Sequence, residues 1–167
     1  ERLKNEGNEI IIFTDMGSGQ IDMIEKLGCK SIIIDHHQFQ KNETSKDIIQ
    51  INANQCGING NYEASGSSLS LSLAKAIDPE NIDLSDLALI GATGDKQYIG
   101  GIRGYNKQIL DEALEKDILK KQIALKFSHD TISDSLYYSI DPYYAGISGN
   151  REEIISLLNK LKIDYNK

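Results

Sequence analysis

The chain has 167 residues, of which 40% are hydrophobic, which is enough for one domain with a real core. Its apolar runs are far too short to cross a membrane. The net charge of −7 excludes a domain that holds nucleic acid by non-specific charge alone, because such a domain should be basic. This leaves a small substrate, attraction by cations in the site, or binding of nucleic acid by another domain.

The sequence carries no secretory signal. The opening residues, Glu1-Arg2-Leu3-Lys4, include neither an apolar signal segment nor an initiator Met, so we expect a processed chain or a piece of a longer one. Cys29 and Cys56 match no zinc spacing and favour two reduced thiols in a cytoplasmic protein.

Short β-branched runs alternate with helical periodicity over the first third of the chain. The run Ile10-Ile11-Ile12 is typical of a strand buried in a parallel sheet. Gly28 is a natural stop for the helix that precedes the second strand, and the three elements together make a βαβ unit. We predict strands over Glu9–Phe13, Ser31–Ile34 and Asp47–Asn52, and a helix over Gln20–Leu27.

The rest of the chain has mainly helical spacing. Ala64–Ile77 fits a helix, and so does Leu84–Thr93, although its Ala-Leu-Ile run would also fit a strand. Together, the predicted strands and helices indicate one α/β domain over residues 1–167, with a mostly parallel sheet flanked by helices. We predict further helices within Tyr105–Lys126 and over Arg151–Leu161, and loops over Asn54–Asn61, Gly94–Gly104 and Asp141–Asn150.

Ionisable residues follow the first two predicted strands where these end. Asp15 follows the first strand, and Asp35, His36 and His37 follow the second. The carboxyl ends of parallel strands line the ligand crevice, so these side chains are expected at one site, and Asp95 in its loop could turn towards it. Carboxylates with an imidazole suit a hard divalent ion such as Mn²⁺ or Mg²⁺, whereas zinc more often recruits a thiolate or a third His.

Each of these residues also has a purely structural interpretation. A lone Asp after a strand is usually a turn former or a helix cap, which applies to Asp15, and Asp95 alone would be a loop carboxylate. The histidine pair favours function more strongly, because the chain has only three His and two of them follow an Asp at a strand end.

Two further segments are candidate phosphate contacts. The run Ser65-Gly66-Ser67-Ser68 precedes a helix, and it fits a helix N-cap as well as an anion site made of hydroxyls and a helix N-terminus. The loop Gly94–Gly104 allows close backbone approach to a ligand, with Lys96 and Arg103 as candidate contacts to phosphate. The alternative is a flexible surface loop with solvated cations.

At Asp35-His36-His37 the chain resembles the DHH phosphoesterases, which are named after this tripeptide at a strand end. Thr14–Gly19 resembles the second motif of that family, Ala64–Ser68 its phosphate-contacting segment, and Gly94-Asp95 its fourth motif. The sequences of Gly91–Asp95 and Ser148–Glu152 are most similar to those of archaeal RecJ-like proteins, which are relatives of the bacterial RecJ exonuclease.

The resemblance implies a role for each site residue. Asp15 would bridge two Mn²⁺ or Mg²⁺ ions, His36 would ligate one of them, and Asp95 would be a further shared ligand. His37 would contact the scissile phosphate, and Asp35 would orient the histidine by a hydrogen bond, a role that metal-bound imidazoles commonly need. Two ions roughly 3.5–4 Å apart can generate a hydroxide and stabilise the leaving oxygen.

The chain also departs from the family pattern. The first motif, Asp-x-Asp-Gly, is not found and is expected before residue 1, and the substrate-binding domain with its Gly-Gly-His motif is not found either. We therefore expect the middle of a longer protein, N-terminally incomplete and nearly inactive alone.

Three functions compete at this point. The first is an exonuclease on single-stranded DNA or RNA, and the second is a phosphodiesterase of short oligonucleotides or cyclic dinucleotides. The third is a non-catalytic replication scaffold, because archaeal RecJ-like proteins are partners of the GINS complex.

Overall fold

The computed structural model describes residues 2–41, 44–122 and 129–164. The chain divides into two compact units, Glu1–Lys121 and Gln122–Lys167. The single domain expected over residues 1–167 stays a prediction. The helices are α1 (Arg2–Asn5), α2 (Ile21–Glu25), α3 (Gly66–Ile77), α4 (Ser85–Gly94), α5 (Gly104–Glu115), α6 (Ile132–Tyr137) and α7 (Arg151–Lys160).

The first unit is built on a three-stranded parallel sheet. Its strands are β1 (Ile10–Thr14), β2 (Lys30–Asp35) and β3 (Ile48–Asn52), and they lie in the order β1-β2-β3. The register pairs Thr14 with Ile34. All three predicted strands are confirmed, and so is the α/β fold with a parallel sheet flanked by helices.

Apolar side chains pack on both faces of the sheet, but the burial expected for β1 is only partial, since Ile10 and Ile12 are each 53% exposed. On one face Phe13, Ile33 and Ile48 pack against α2 through Ile21 and Ile24. On the other face Ile34 packs with Ala53, Ala64 and Leu69, where α3 begins. Because side chains alternate along a strand, the consecutive isoleucines of β2 supply both cores.

Helices α3, α4 and α5 pack together through Leu71, Ala88 and Ile109, which are all buried. The segment Leu84–Thr93 is therefore a helix, and the strand alternative is wrong. Helix α5 ends at Glu115, so it fills only part of the predicted Tyr105–Lys126 segment, of which residues 123–128 lie outside the described residues.

The second unit contains α6 and α7, which share a small core of Leu136, Ile154 and Leu158. The prediction of α7 is confirmed, but α6 was not predicted from the sequence. Within the described part of the chain, no helix combines the length and the apolar character that crossing a bilayer requires.

Candidate metal centre

Asp15 directly follows β1 and has an unusual backbone conformation. Its φ of 62° lies in the left-handed region, which costs an L residue other than Gly on the order of 1–2 kcal/mol. The backbone N–H of Asp15 still donates to the Ile34 carbonyl oxygen at 2.8 Å, so the turn starts directly at the last pair of the sheet. Strain of this kind at a sheet edge is typical of functional positions.

The structure brings Asp15, His36 and Asp95 together. Nε2 of His36 lies 3.0 Å from Oδ1 of Asp15 and 3.3 Å from Oδ2 of Asp95. The His36 side chain is 7% exposed, whereas the carboxylates of Asp15 and Asp95 are 59% and 36% exposed. A buried imidazole therefore faces two carboxylates that remain open to solvent on their other side.

The hydrogen bonds of His36 leave one ring nitrogen for a ligand. Nδ1 lies 2.6 Å from the carbonyl oxygen of Gly60, which can only accept, so Nδ1 carries the hydrogen. Nε2 is buried, makes no hydrogen bond of regular geometry among the described residues, and faces only the two carboxylates, so it is the ring nitrogen that a metal ion could take. Metal-bound histidines commonly donate their other N–H to a carbonyl in this way.

This donor set fits a divalent cation. Ligands of Mg²⁺ lie about 2.0–2.1 Å from the ion in an octahedron, so neighbouring donor atoms are about 3 Å apart. The two distances from Nε2 of His36 agree with that spacing. Two carboxylates beside one imidazole gather negative charge at this point, which a divalent cation between the three groups would neutralise.

The buried carboxylate of Asp35 organises the turn after β2. It accepts from the backbone N–H groups of Ser18, His36 and His37 at 3.0, 2.8 and 3.1 Å, and from Nδ1 of His37 at 2.7 Å. Burial by itself raises the pKa of Asp35, but the N–H donors of Ser18, His37 and His36 outweigh it and hold that pKa below its ordinary value. Asp35 is therefore an ionised acceptor that fixes both histidines.

His37 lies beside His36, with the ring centroids 4.2 Å apart. The chain therefore turns after Asp35, and both imidazoles lie at the same edge of the sheet. Asp15, His36 and His37 offer ligand atoms within 4.8 Å of one another. The hydrogen bond to Asp35 raises the pKa of His37 above its ordinary value, which favours a cation in this exposed position. A contact of His37 with the scissile phosphate stays a prediction.

The sequence analysis missed two asparagines that hold the histidine turn. The Asn52 amide donates to Ser18 Oγ at 2.8 Å and to the His37 carbonyl at 3.0 Å. The Asn54 amide donates to the carbonyls of His36 and His37 at 2.9 and 3.1 Å. Asn52 is the register partner of Asp35 and ends its strand at the same edge, a signal that could have identified it.

The hydroxyl groups of Ser65, Ser67 and Ser68 are used within the protein. Ser65 and Ser68 form a capping box at the start of α3, each side chain bonding to the other's backbone N–H. Ser67 donates to the Ala88 carbonyl at 2.8 Å, which joins α3 to α4. These bonds favour the N-cap interpretation, and the phosphate contact proposed for Ser65, Gly66, Ser67 and Ser68 stays a prediction.

Lys96 and Arg103 are both exposed, on the turn between α4 and α5. Arg103 donates to the Ile99 carbonyl at 2.8 Å and lies over the Tyr62 ring, 5.4 Å from its centroid. Lys96 has a left-handed φ of 58°. Their phosphate contacts stay predictions, and the structure gives each residue a role within its own loop.

A cavity of about 710 Å³ adjoins the cluster on its α2 side. Asp15, Asp35 and His37 are among the residues that line it, and most of its surface is apolar. The apolar part is lined by Phe13, Met16, Met23, Ile24 and Leu27. A cavity of this size holds a small molecule.

A parallel sheet that carries an Asp-His-Asp cluster at its carboxyl edge defines an α/β protein with a candidate metal centre. Residues 2–93 match the DHH family, N-terminal domain, and the chain belongs to that family. Asp15, His36 and His37 lie within the match, and Asp95 lies just beyond it.

The chain is also similar to an uncharacterized protein of Methanocaldococcus jannaschii, with 33% identity over 169 residues. The alignment covers 98% of this chain and 38% of that protein. The chain therefore spans well under half the length of this relative.

Proposed function

We propose that the protein hydrolyses phosphodiester bonds with the help of Mn²⁺ or Mg²⁺, as a RecJ-like exonuclease on single-stranded nucleic acid. The observation that carries the proposal is the convergence of Asp15, His36 and Asp95, with Nε2 of His36 about one ligand spacing from both carboxylates. Hard oxygen donors with one imidazole suit these two ions, and both are common in phosphoryl-transfer sites.

The residues around the cluster fit phosphodiester chemistry. When bound, the metal ions supply an activated water and neutralise charge on the phosphate. We propose that His37, which Asp35 holds by a hydrogen bond that raises its pKa, stabilises negative charge on a non-bridging oxygen of the phosphate. Asp35 is proposed as the residue that orients His37, through the 2.7 Å bond to Nδ1.

The substrate class follows from the charge of the chain together with the resemblance. A chain with a net charge of −7 attracts nucleic acid poorly, so metal ions in the site, with Lys96 and Arg103 as further contacts, would supply the attraction. The similarity of Gly91–Asp95 and Ser148–Glu152 to archaeal RecJ-like proteins favours single-stranded DNA or RNA, and roles in DNA repair and replication. A GINS-type complex is the protein partner that this resemblance suggests.

A second candidate function is hydrolysis of short oligonucleotides or cyclic dinucleotides. The cavity of about 710 Å³ favours it, because an apolar wall beside Asp15 and His37 suits the base of a small nucleotide. A short substrate also needs no extended basic surface, which agrees with the negative charge of the chain.

The experiment offers the whole protein 5′- and 3′-labelled single-stranded DNA and RNA, dinucleotides and cyclic dinucleotides, each with Mn²⁺, Mg²⁺ or EDTA. The Asp15→Asn variant is the control for a contaminating nuclease. Metal-dependent shortening of long strands, lost in Asp15→Asn, supports the exonuclease. Cleavage of dinucleotides or cyclic dinucleotides alone supports the second candidate function. If neither metal supports cleavage of any substrate, both catalytic functions are contradicted and the non-catalytic replication scaffold is favoured.

A further inference from the structure

We infer that Gln97 and Asn106 form a buried amide pair that positions the proposed metal ligands His36 and Asp95. This inference rests on the proposed metal site and assigns a role to two residues that touch no metal themselves. Gln97 is 2% exposed and Asn106 is 1% exposed, although both are amides whose burial is costly unless their hydrogen bonds are made.

One carboxamide contacts both sides of the site. Nε2 of Gln97 donates to the carbonyl oxygen of Gly60 at 3.0 Å and lies 3.4 Å from Oδ2 of Asp95. The Gly60 carbonyl is the acceptor of the Nδ1 hydrogen of His36, and Oδ2 is the Asp95 oxygen that faces Nε2 of His36. Gln97 thus holds the group that orients the imidazole and also contacts the carboxylate that the imidazole faces.

Asn106 fixes the orientation of that carboxamide. Its Nδ2 donates to Oε1 of Gln97 at 2.6 Å, so the oxygen of Gln97 points towards α5 and the NH₂ group towards the site. The partners of Nε2 are two carbonyls, of Gly60 and Ala64, and one carboxylate, which all accept. A flipped Gln97 would place its oxygen against these acceptors, and the Asn106 donor prevents this.

The backbone after α4 brings Gln97 to this position. The N–H groups of Lys96 and Gln97 donate to the carbonyls of Thr93 and Ala92 at 2.9 and 3.0 Å, the two bonds of a Schellman motif, with Lys96 as its left-handed residue. Asp95 ends the helix, and Gln97 turns inwards two residues later. The C-terminus of α4 therefore determines the positions of both the proposed ligand Asp95 and the positioning residue Gln97.

Fold stability alone does not account for the pair. Oδ1 of Asn106 is buried and has no hydrogen-bond partner among the described residues, a cost that an apolar side chain at position 106 would avoid. The arrangement is explained if the donor of Asn106 is retained for its effect on Gln97.

The test measures Mn²⁺ affinity by calorimetry and, in crystal structures of the variants, the orientation of the His36 ring against the Gly60 carbonyl. Gln97→Met keeps the side-chain length and removes the hydrogen bonds of the carboxamide. We expect Mn²⁺ affinity to fall roughly 10- to 100-fold, the usual effect of losing an outer hydrogen-bond partner. The hydrogen bond from Nδ1 of His36 to the Gly60 carbonyl should lengthen or break as the imidazole rotates. Asn106→Ala should show a smaller change in the same direction.

Ile109→Val is the matched control, because Ile109 is equally buried one turn further along α5 and contacts no site residue through a polar atom. It should lower stability while keeping Mn²⁺ affinity within about twofold of the wild type. If Gln97→Met binds Mn²⁺ as the wild type does and keeps the wild-type orientation of the His36 ring, the inference is wrong; Asn106→Ala decides in its place if Gln97→Met does not fold. If the wild type itself binds no Mn²⁺, the metal site and this inference are both wrong.

Discussion

Gly66, the first residue of α3, lies against Asp15 so closely that a Cβ at position 66 would be 2.5 Å from Oδ1 of Asp15. No real Cβ makes such a contact, so an alanine here displaces the carboxylate or the helix. Gly66 therefore has a steric function at the candidate metal centre, whatever its part in phosphate binding.

The first prediction concerns Gly66→Ala. We expect unfolding free energy to fall by about 1–3 kcal/mol, the usual cost of overpacking, and Mn²⁺ affinity to fall at least tenfold because Oδ1 of Asp15 moves. Denaturant unfolding and calorimetry measure the two effects. Gly94→Ala is the control, since nothing lies within 4 Å of a Cβ there, and it should be neutral or stabilising. Wild-type Mn²⁺ affinity in Gly66→Ala would contradict the expected displacement of the Asp15 carboxylate.

The second prediction tests whether Asp15 binds the metal ion or only stabilises the fold. Asn tolerates the left-handed conformation that Asp15 adopts, and its side chain has nearly the same shape. Asp15→Asn should therefore change the unfolding free energy of the metal-free protein by less than about 0.5 kcal/mol. Mn²⁺ affinity should fall by more than the roughly 100-fold upper range for an outer partner. A variant that is strongly destabilised in EDTA, or that retains Mn²⁺, would contradict the assignment.

The third prediction divides the work of the two histidines. His36→Ala removes the nitrogen that faces both carboxylates and should abolish tight Mn²⁺ binding. His37→Ala should leave Mn²⁺ affinity near normal and lower turnover by roughly two to three orders of magnitude, if His37 stabilises charge on the phosphate. Calorimetry and rates on both variants decide between these roles. Because His37 lies within 4.8 Å of the other ligand atoms, an equal loss of metal in His37→Ala would make it a ligand instead.

The fourth prediction tests whether Lys96 contacts phosphate. Lys96→Gly removes the cation but suits the left-handed turn, so unfolding free energy should stay unchanged or rise by up to about 1 kcal/mol. If Lys96 contacts phosphate, the slope of log affinity against log salt for single-stranded DNA should shrink by roughly 0.7. Lys107→Ala, which removes an exposed cation on α5, is the control and should leave the slope unchanged. If both variants have the same slope, Lys96 does not contact phosphate and serves only the turn after α4.

The strand-end residues were predictable because local rules decide them. β-branched runs identify the strands, and parallel strands bring their carboxyl ends to one edge, which places Asp15 beside His36. Asp95 needed the family resemblance as well, since it follows a helix and reaches the cluster only because α4 packs on α3.

The hydrogen-bonding residues around the ligands were not predictable in this way. Gln97 acts through carbonyls more than thirty positions earlier in the chain, and no periodicity encodes such a contact. The sequence did not identify Lys96 as the left-handed residue that follows α4, because this position after a helix is usually Gly. The short α6 was missed too, although Thr131 caps it by accepting from the N–H of Asp134.

The central claim is that Asp15, His36 and Asp95 hold one divalent ion, and anomalous diffraction from crystals soaked in Mn²⁺ tests it most directly. The account predicts an anomalous peak at the Mn absorption edge about 2.0–2.3 Å from Nε2 of His36 and from a carboxylate oxygen of both Asp15 and Asp95. A site empty at saturating Mn²⁺, or a peak bound to other residues while Nε2 of His36 stays without an ion, would contradict it.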